Sequence, residues 1–222
     1  MSHEKDVTAV IINYKTFDLT QRAIKSFRSY YPDVPLLLID NGSNDDSTFI
    51  LEKLVKASPT SIELIINDKN IHHGPAMHQA IQRTSSEYIL FIDSDCEIRQ
   101  GGFIELMLNL LSESDQNYVV GKKVYMNNRG FDVDKNDSSA IEYIRPICML
   151  LRREIYLKLP KFVKHGTPCL ENMKEAVRQG YRLIDFPIEK YILHQGRGTA
   201  GRFGYQLGWK GRWNYLMNKL GL

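Results

Sequence analysis

Short runs of β-branched and leucine-rich residues alternate with stretches of helical spacing through the first hundred positions. The run VTAVII (7–12) precedes Leu19, Ala23, Phe27 and Tyr30, which recur at three- and four-residue intervals. PLLLID (35–40) leads through the turn-rich NGSNDDST to Ile50, Leu51, Leu54 and Val55. IELII (62–66) leads through NDKNIHHGP to Ala76, Ala80 and Ile81, and YILFI (88–92) ends on Asp93-Ser94-Asp95. Strands separated by helices predict a parallel sheet covered on both faces, because parallel neighbours need crossover connections. In open sheets of this kind ligands sit beyond the carboxyl ends of the strands. That rule aims Asn13 and Tyr14, Asp40, the 70–75 loop, and Asp93 with Asp95 at one crevice.

After residue 100 the rhythm changes. A helix near 102–113 precedes YVVGKKVYM and a polar loop, NNRGFDVDKNDSS, and then IRPICMLLRREIYLKL returns to the core. Leu170, Met173 and Val177 form one more helical stripe that stops at Gly180. YRLIDFPIEKYILHQGRGT reads as a broken final strand carrying His194. With no internal repeat and no linker, residues 1–222 form one domain: a first half (1–100), a more variable second half (101–196) and a tail (197–222).

The chemistry concentrates at Asp93 and Asp95. Alternation along an extended backbone puts the two carboxylates on one side, where like charges repel and resist desolvation, so a cation belongs between them. A chain of 222 residues buries a substantial core. Its net charge of +3 is too small to imply nucleic-acid binding. Cys96, Cys148 and Cys169 include no CxxC pair, which argues against a disulfide framework or a zinc site and fits a reducing cytoplasm. The amino-terminal apolar run is too short for a signal peptide, and no stretch approaches the roughly 20 apolar residues that span a bilayer. The expectation is a soluble or peripherally attached protein. His72, His73 and His78 have the composition of a metal cluster, but neighbours face apart on extended backbone, so capping or pocket packing is the simpler reading. Gly74 and Pro75 are placed to open a helix whose amino terminus can face a phosphate.

AVIINYKTFDLTQRAIKSF, LLIDNGSNDDS, NIHHGPAMHQAI, EYILFIDSDCEI, CMLLRREIY and GYRLIDFPIEKYILH occur in that order, and together they resemble the family 2 glycosyltransferases of the GT-A fold. The resemblance covers most of residues 7–194. It implies an α/β fold with a mainly parallel central sheet, a nucleotide-sugar-binding first half and an acceptor-side second half. It also implies transfer of a sugar from a nucleotide-diphosphate donor to a hydroxyl of a saccharide or lipid-linked acceptor, with Mn²⁺ or Mg²⁺ as cofactor. Carried over residue by residue, Asp93 and Ser94 face the donor, Asp93 and Asp95 hold the metal, and His194 completes the metal or diphosphate site, as a metal ligand tilting it toward manganese. Asn13 and Tyr14 line the base pocket, Asp40 accepts a hydrogen bond from the nucleobase, and Gly74 lies on the donor side.

The catalytic base departs from the family pattern. Where relatives carry a Glu-Asp pair before the "GY", this chain has Pro168 and Cys169. Glu171 is the first choice for the base, with His165 and Glu175 behind it. The tail carries Arg197, Arg202, Lys210, Arg212 and Lys219 interleaved with aromatics and no acid. It reads as a lip with Arg197 over the diphosphate, as an amphipathic contact with the inner membrane face, or as a packed helix. Bacterial surface polysaccharide synthesis is the setting the family implies. Two alternatives stay open: a non-catalytic nucleotide-sugar binder, and a phosphatase of haloacid-dehalogenase type.

Overall fold

The computed structural model describes residues 6–57, 62–163 and 166–195. Its centre is β1 (Val7–Asn13), fully buried and flanked in parallel by β2 (Leu36–Asp40) and β4 (Tyr88–Asp93). β3 (Ile62–Ile66) pairs in parallel with β2 at the edge. Helices α1 (Phe17–Tyr30), α2 (Asp46–Ala57) and α3 (His73–Arg83) make the crossovers between them.

Strand alternation divides the core in two. Val7, Ala9, Ile11, Leu36, Leu38, Leu90 and Ile92 pack with Ala23, Ile24 and Phe27 of α1 and with Leu51 of α2. Val10, Ile12, Leu37, Ile39, Ile89 and Phe91 pack on the other side with Ala76, Met77, Ala80 and Ile81 of α3. A strand apolar on both faces is what a sheet sandwiched by helices requires. Tyr30, expected on the α1 stripe, is instead 44% exposed and donates its hydroxyl to the Arg99 carbonyl.

The second half extends this sheet with the opposite sense. After β5 (Cys96–Ile98) and α4 (Phe103–Ser112), β6 (Asn117–Met126) and β7 (Ile141–Arg152) form a long antiparallel pair. β7 inserts against β4, also antiparallel, so the strand order is β3-β2-β1-β4-β7-β6-β8. α5 (Arg153–Tyr156) and α6 (Leu170–Arg178) follow, and β8 (Arg182–Asp185) closes the sheet in parallel with β6. Four of the six neighbour pairings are parallel. The expected broken final strand is present: a 3₁₀ turn (Ile188–Lys190) separates β8 from β9 (Ile192–His194), which leaves the main sheet and pairs with β5. Among the described residues no helix is long and apolar enough to cross a membrane.

Candidate active site

The register brings three strand ends level: Asn13 lies opposite Asp40, and Ile12 opposite Asp93. At the first two, the side chains expected at the base pocket have partners within the protein. Asn13 Nδ2 donates to Asp40 Oδ1 and Ser43 Oγ at 3.1 Å, while Asn13 Oδ1 accepts the hydroxyls of Thr16 and Thr20. Asp40 is fully buried; Ser43 also donates to Oδ1, and Thr48 to Oδ2. The amide thus has both donors and its acceptor committed, and the carboxylate is sealed from solvent. Together they build the floor of the crevice. Tyr14 stands half-exposed above it with the Lys15 ammonium 5.6 Å from its ring. Gly42 is required in this floor: its φ is +74° and a Cβ would stand 2.2 Å from the Lys69 carbonyl carbon.

Extended alternation does not align the two acids, because β4 stops at Asp93 and Ser94 and Asp95 form a turn. The Ser94 hydroxyl bonds that of Thr16 at 3.2 Å, tying the turn to the start of α1. Asp95 is buried, with Oδ1 3.3 Å from His194 Nε2. β9 makes that contact by running antiparallel to β5, with His194 opposite Cys96. The hydrogen bond to Asp95 raises the His194 pKa against the opposing effect of burial. Asp93 takes a different partner, with Oδ1 3.7 Å from His73 Nε2. Burial, then the charge of Asp95, push the Asp93 carboxyl up to about 7.

Ligand atoms of Asp95, Cys96 and His194 lie within 4.8 Å of one another. The group differs from the expected Asp93, Asp95 and His194: Cys96 replaces Asp93, whose carboxylate is drawn toward His73. Cys96 nonetheless donates its thiol to the Ile147 carbonyl at 3.3 Å, and burial pushes its pKa well above the usual thiol value. A thiol is a soft ligand that suits Mn²⁺ and Mg²⁺ poorly, and this one is committed to a carbonyl, so Cys96 serves as a wall. Asp95 and His194, with the excess negative charge of Asp93 beside them, form an oxygen and nitrogen set that fits a divalent cation of the Mn²⁺ or Mg²⁺ kind.

The histidines occupy three different positions around α3. His72 is the residue before α3, in left-handed backbone at φ 72°; His73 opens the helix against Asp93; His78 Nδ1 meets the Tyr156 hydroxyl at 2.8 Å. Gly74 is buried in the first turn of α3. Cys169, immediately before α6, is buried close enough to Asp93 for that charge to help raise its pKa. Glu171 sits two residues on, on the exposed stripe of α6 with Lys174 and Arg178, and has no hydrogen bond or ion pair among the described residues. The structure does not bring it into contact with the acid cluster. Glu175 is held down to about 2 by Arg178 and Gln179 and is too weak a base at neutral pH. His165 and Arg197 lie outside the described residues.

Among known proteins, the model of the family described as "Glycosyl transferase family 2" matches residues 8–176. The chain belongs to glycosyl transferase family 2. An uncharacterised glycosyltransferase of Haemophilus influenzae is 23% identical over 184 residues, covering 76% of this chain and 72% of that protein. A Campylobacter jejuni protein named GalNAc(5)-diNAcBac-PP-undecaprenol beta-1,3-glucosyltransferase is 25% identical over 104 residues, covering 46% of this chain and 33% of its own. Of the solved structures, the Pyrobaculum calidifontis mannosyltransferase PcManGT in complex with GDP-Man and Mn²⁺ superposes with a TM-score of 0.65 at 13% identity over 82% of this chain. GalNAc-T7 with UDP, GalNAc and Mn²⁺ gives 0.66, also at 13% identity over 82% of this chain. These likenesses show the GT-A fold. This family 2 chain spans 55% and 42% of those two solved chains. Family membership sets aside the phosphatase alternative.

Proposed function

We propose that the protein moves a glycosyl group from a nucleotide-diphosphate sugar to an acceptor hydroxyl, with a divalent cation held by Asp95 and His194. The observation that carries this is the buried Asp95–His194 pair beside the raised Asp93, at the carboxyl ends of the parallel strands. A cation bound there would neutralise the charge that develops on a departing diphosphate. Asp93 and Ser94 face the ribose side, and Tyr14 covers the base over the Asn13–Asp40 floor. The first turn of α3 at Gly74 supplies backbone N–H groups near Asp93. The nucleotides and Mn²⁺ named with the two solved relatives support this donor class. Glu171, exposed and unengaged, is the proton acceptor for the incoming hydroxyl.

The undecaprenol-linked name of the Campylobacter relative supports a lipid-linked saccharide acceptor. It also supports work at the inner face of a bacterial membrane in surface polysaccharide synthesis. The basic aromatic tail, including Arg197, would then serve as lip or membrane contact.

A second reading has one observation in its favour: Cys169 stands where the family places an acid. In that case the chain binds nucleotide sugars without transferring them. Thermal shift against UDP, GDP, CDP and dTDP, with and without Mn²⁺, followed by donor hydrolysis, separates the two. One nucleotide should stabilise the wild type only with metal, by roughly 2.7 kcal/mol at about 100 times its Kd. Asp95→Ala should lose that response; Glu171→Gln should keep it while hydrolysis and transfer fall. If no nucleotide shifts the melting temperature, the donor assignment is wrong. Stabilisation without any hydrolysis or transfer by the wild type identifies the non-catalytic binder.

A further inference from the structure

The two antiparallel strands of the second half do not pair evenly. Between the pairs Gly121–Met149 and Lys123–Ile144, β6 has one residue, Lys122, where β7 has four, Arg145 to Cys148. The surplus backbone has to leave the sheet plane, and Pro146, which has no N–H for a ladder, sits within it. Cys148 is the last β7 residue paired with β4, opposite Ile92. The bulge therefore begins where β4 ends, level with the Asp93–Asp95 turn, and its Ile147 carbonyl receives the Cys96 thiol. Gly121 fits across from it because a Cβ there would stand 2.7 Å from Ile144 Cγ2 and 3.0 Å from the Cys148 carbonyl oxygen.

Arg145 is the charged side chain of this bulge. Its Nη2 donates to both carboxylate oxygens of Asp132 at 2.7 Å. Asp132 is itself fixed by a backbone bridge to Met126 at the end of β6. One of three guanidinium nitrogens is used in this way; among the described residues Nε and Nη1 meet no acceptor. The guanidinium lies close enough to His194 for its charge to act there. Lys122 and Lys123, the neighbouring cations on β6, are tied to Glu189 and Glu142 at 3.0 Å.

From the bulge, the Asp132 anchor and the spare donors, we propose that Arg145 is a phosphoryl-binding residue. Its Nε and Nη1 take oxygens of a phosphate or diphosphate lying over the Asp95–His194 pair, while Asp132 fixes the orientation of the fork. Guanidinium suits this task because its planar donors match phosphoryl oxygens two at a time. The inference rests on the nucleotide-sugar reading above. The oxygens can belong to the donor diphosphate or to a phosphate-bearing acceptor.

Calorimetric titration of the full chain with UDP, GDP, CDP and dTDP in Mn²⁺, and with the matching nucleosides, tests it. Against the diphosphate that binds wild type, Arg145→Ala should lose about tenfold to a hundredfold in affinity. Binding of Mn²⁺ alone and of the nucleoside should stay unchanged, and Arg145→Lys should recover part of the loss. If diphosphate affinity and donor hydrolysis are unchanged but transfer to a polyprenyl-diphosphate-linked sugar falls, the phosphoryl group is the acceptor's. Unchanged affinity, hydrolysis and transfer overturn the proposal and leave the nucleotide-sugar reading standing; a wild type that binds no nucleotide removes both. Loss of Mn²⁺ binding by Arg145→Ala also overturns it, since the residue then acts through the fold. Should Arg145→Ala not fold, Asp132→Asn carries the test: loosening the fork should weaken the same diphosphate severalfold, and unchanged affinity there counts against the proposal.

Discussion

At the residue scale, acids that look alike in sequence do different work. Asp93 and Asp95 were legible because a fully apolar run ending in two carboxylates has few structural excuses. Asp40 was legible as important but its internal partners were not, since a polar residue at a strand end does not announce which side chains will meet it. Three hydrogen bonds from Asn13, Ser43 and Thr48 converge on it with no exposure to solvent. Asp40→Ala strands buried donors that have no water to turn to, and should cost about 2–4 kcal/mol. Asp40→Asn, which keeps one acceptor oxygen, should cost less. The urea midpoint measures both. A wild-type midpoint for Asp40→Ala would mean that the carboxylate is not the hub of this network and is available to a ligand. Glu171 shows the converse: its helix was legible, and its place on the exposed stripe of α6, open to an incoming hydroxyl, came only with the fold.

At the element scale, the first four strands could be read because each is a local apolar run followed by its own helix. β7 could not, because its insertion between β4 and β6 is decided by pairing between distant segments. The bulge at Arg145 leaves no local signal beyond Pro146. The Asp40–Ser43 turn is a local device with a distant constraint. "DNGS" announces a turn, yet the reason for Gly42 is the approach of the Lys69–Asn70 backbone. Gly42→Ala combines left-handed strain, about 1–2 kcal/mol, with a clash against main chain that cannot rotate away. The variant should lose more than about 2 kcal/mol, with the nucleotide response weakened because the crevice floor moves. Thermal unfolding within about 0.5 kcal/mol of wild type would show that the loop yields freely.

At the scale of the whole molecule, the site stores charge that the fold alone does not balance, and this makes stability depend on protons and metal together. Asp93 ionises near 3.8 in an unfolded chain and near 7 in the fold, so between those values the folded protein binds more protons than the unfolded one. His194, raised by Asp95, adds the same sign from about 6.5 upward. Stability of the metal-free protein is therefore complete below pH 4 as far as these groups are concerned, and falls as pH rises through 7. Glu175 and Glu189, both shifted downward, act with the opposite sign at lower pH. A divalent cation takes the place of the protons and binds better as they leave, so saturating Mn²⁺ should shrink or reverse the decline. Melting curves from pH 5 to 8.5 in EDTA and in Mn²⁺ should diverge upward in pH. Asp93→Asn should flatten the EDTA series, and Asp95→Ala should merge the two series. A metal-free melting temperature that rises steadily across pH 5 to 7 would show that the acids are balanced from within the protein, and the case for a cation between them would be lost.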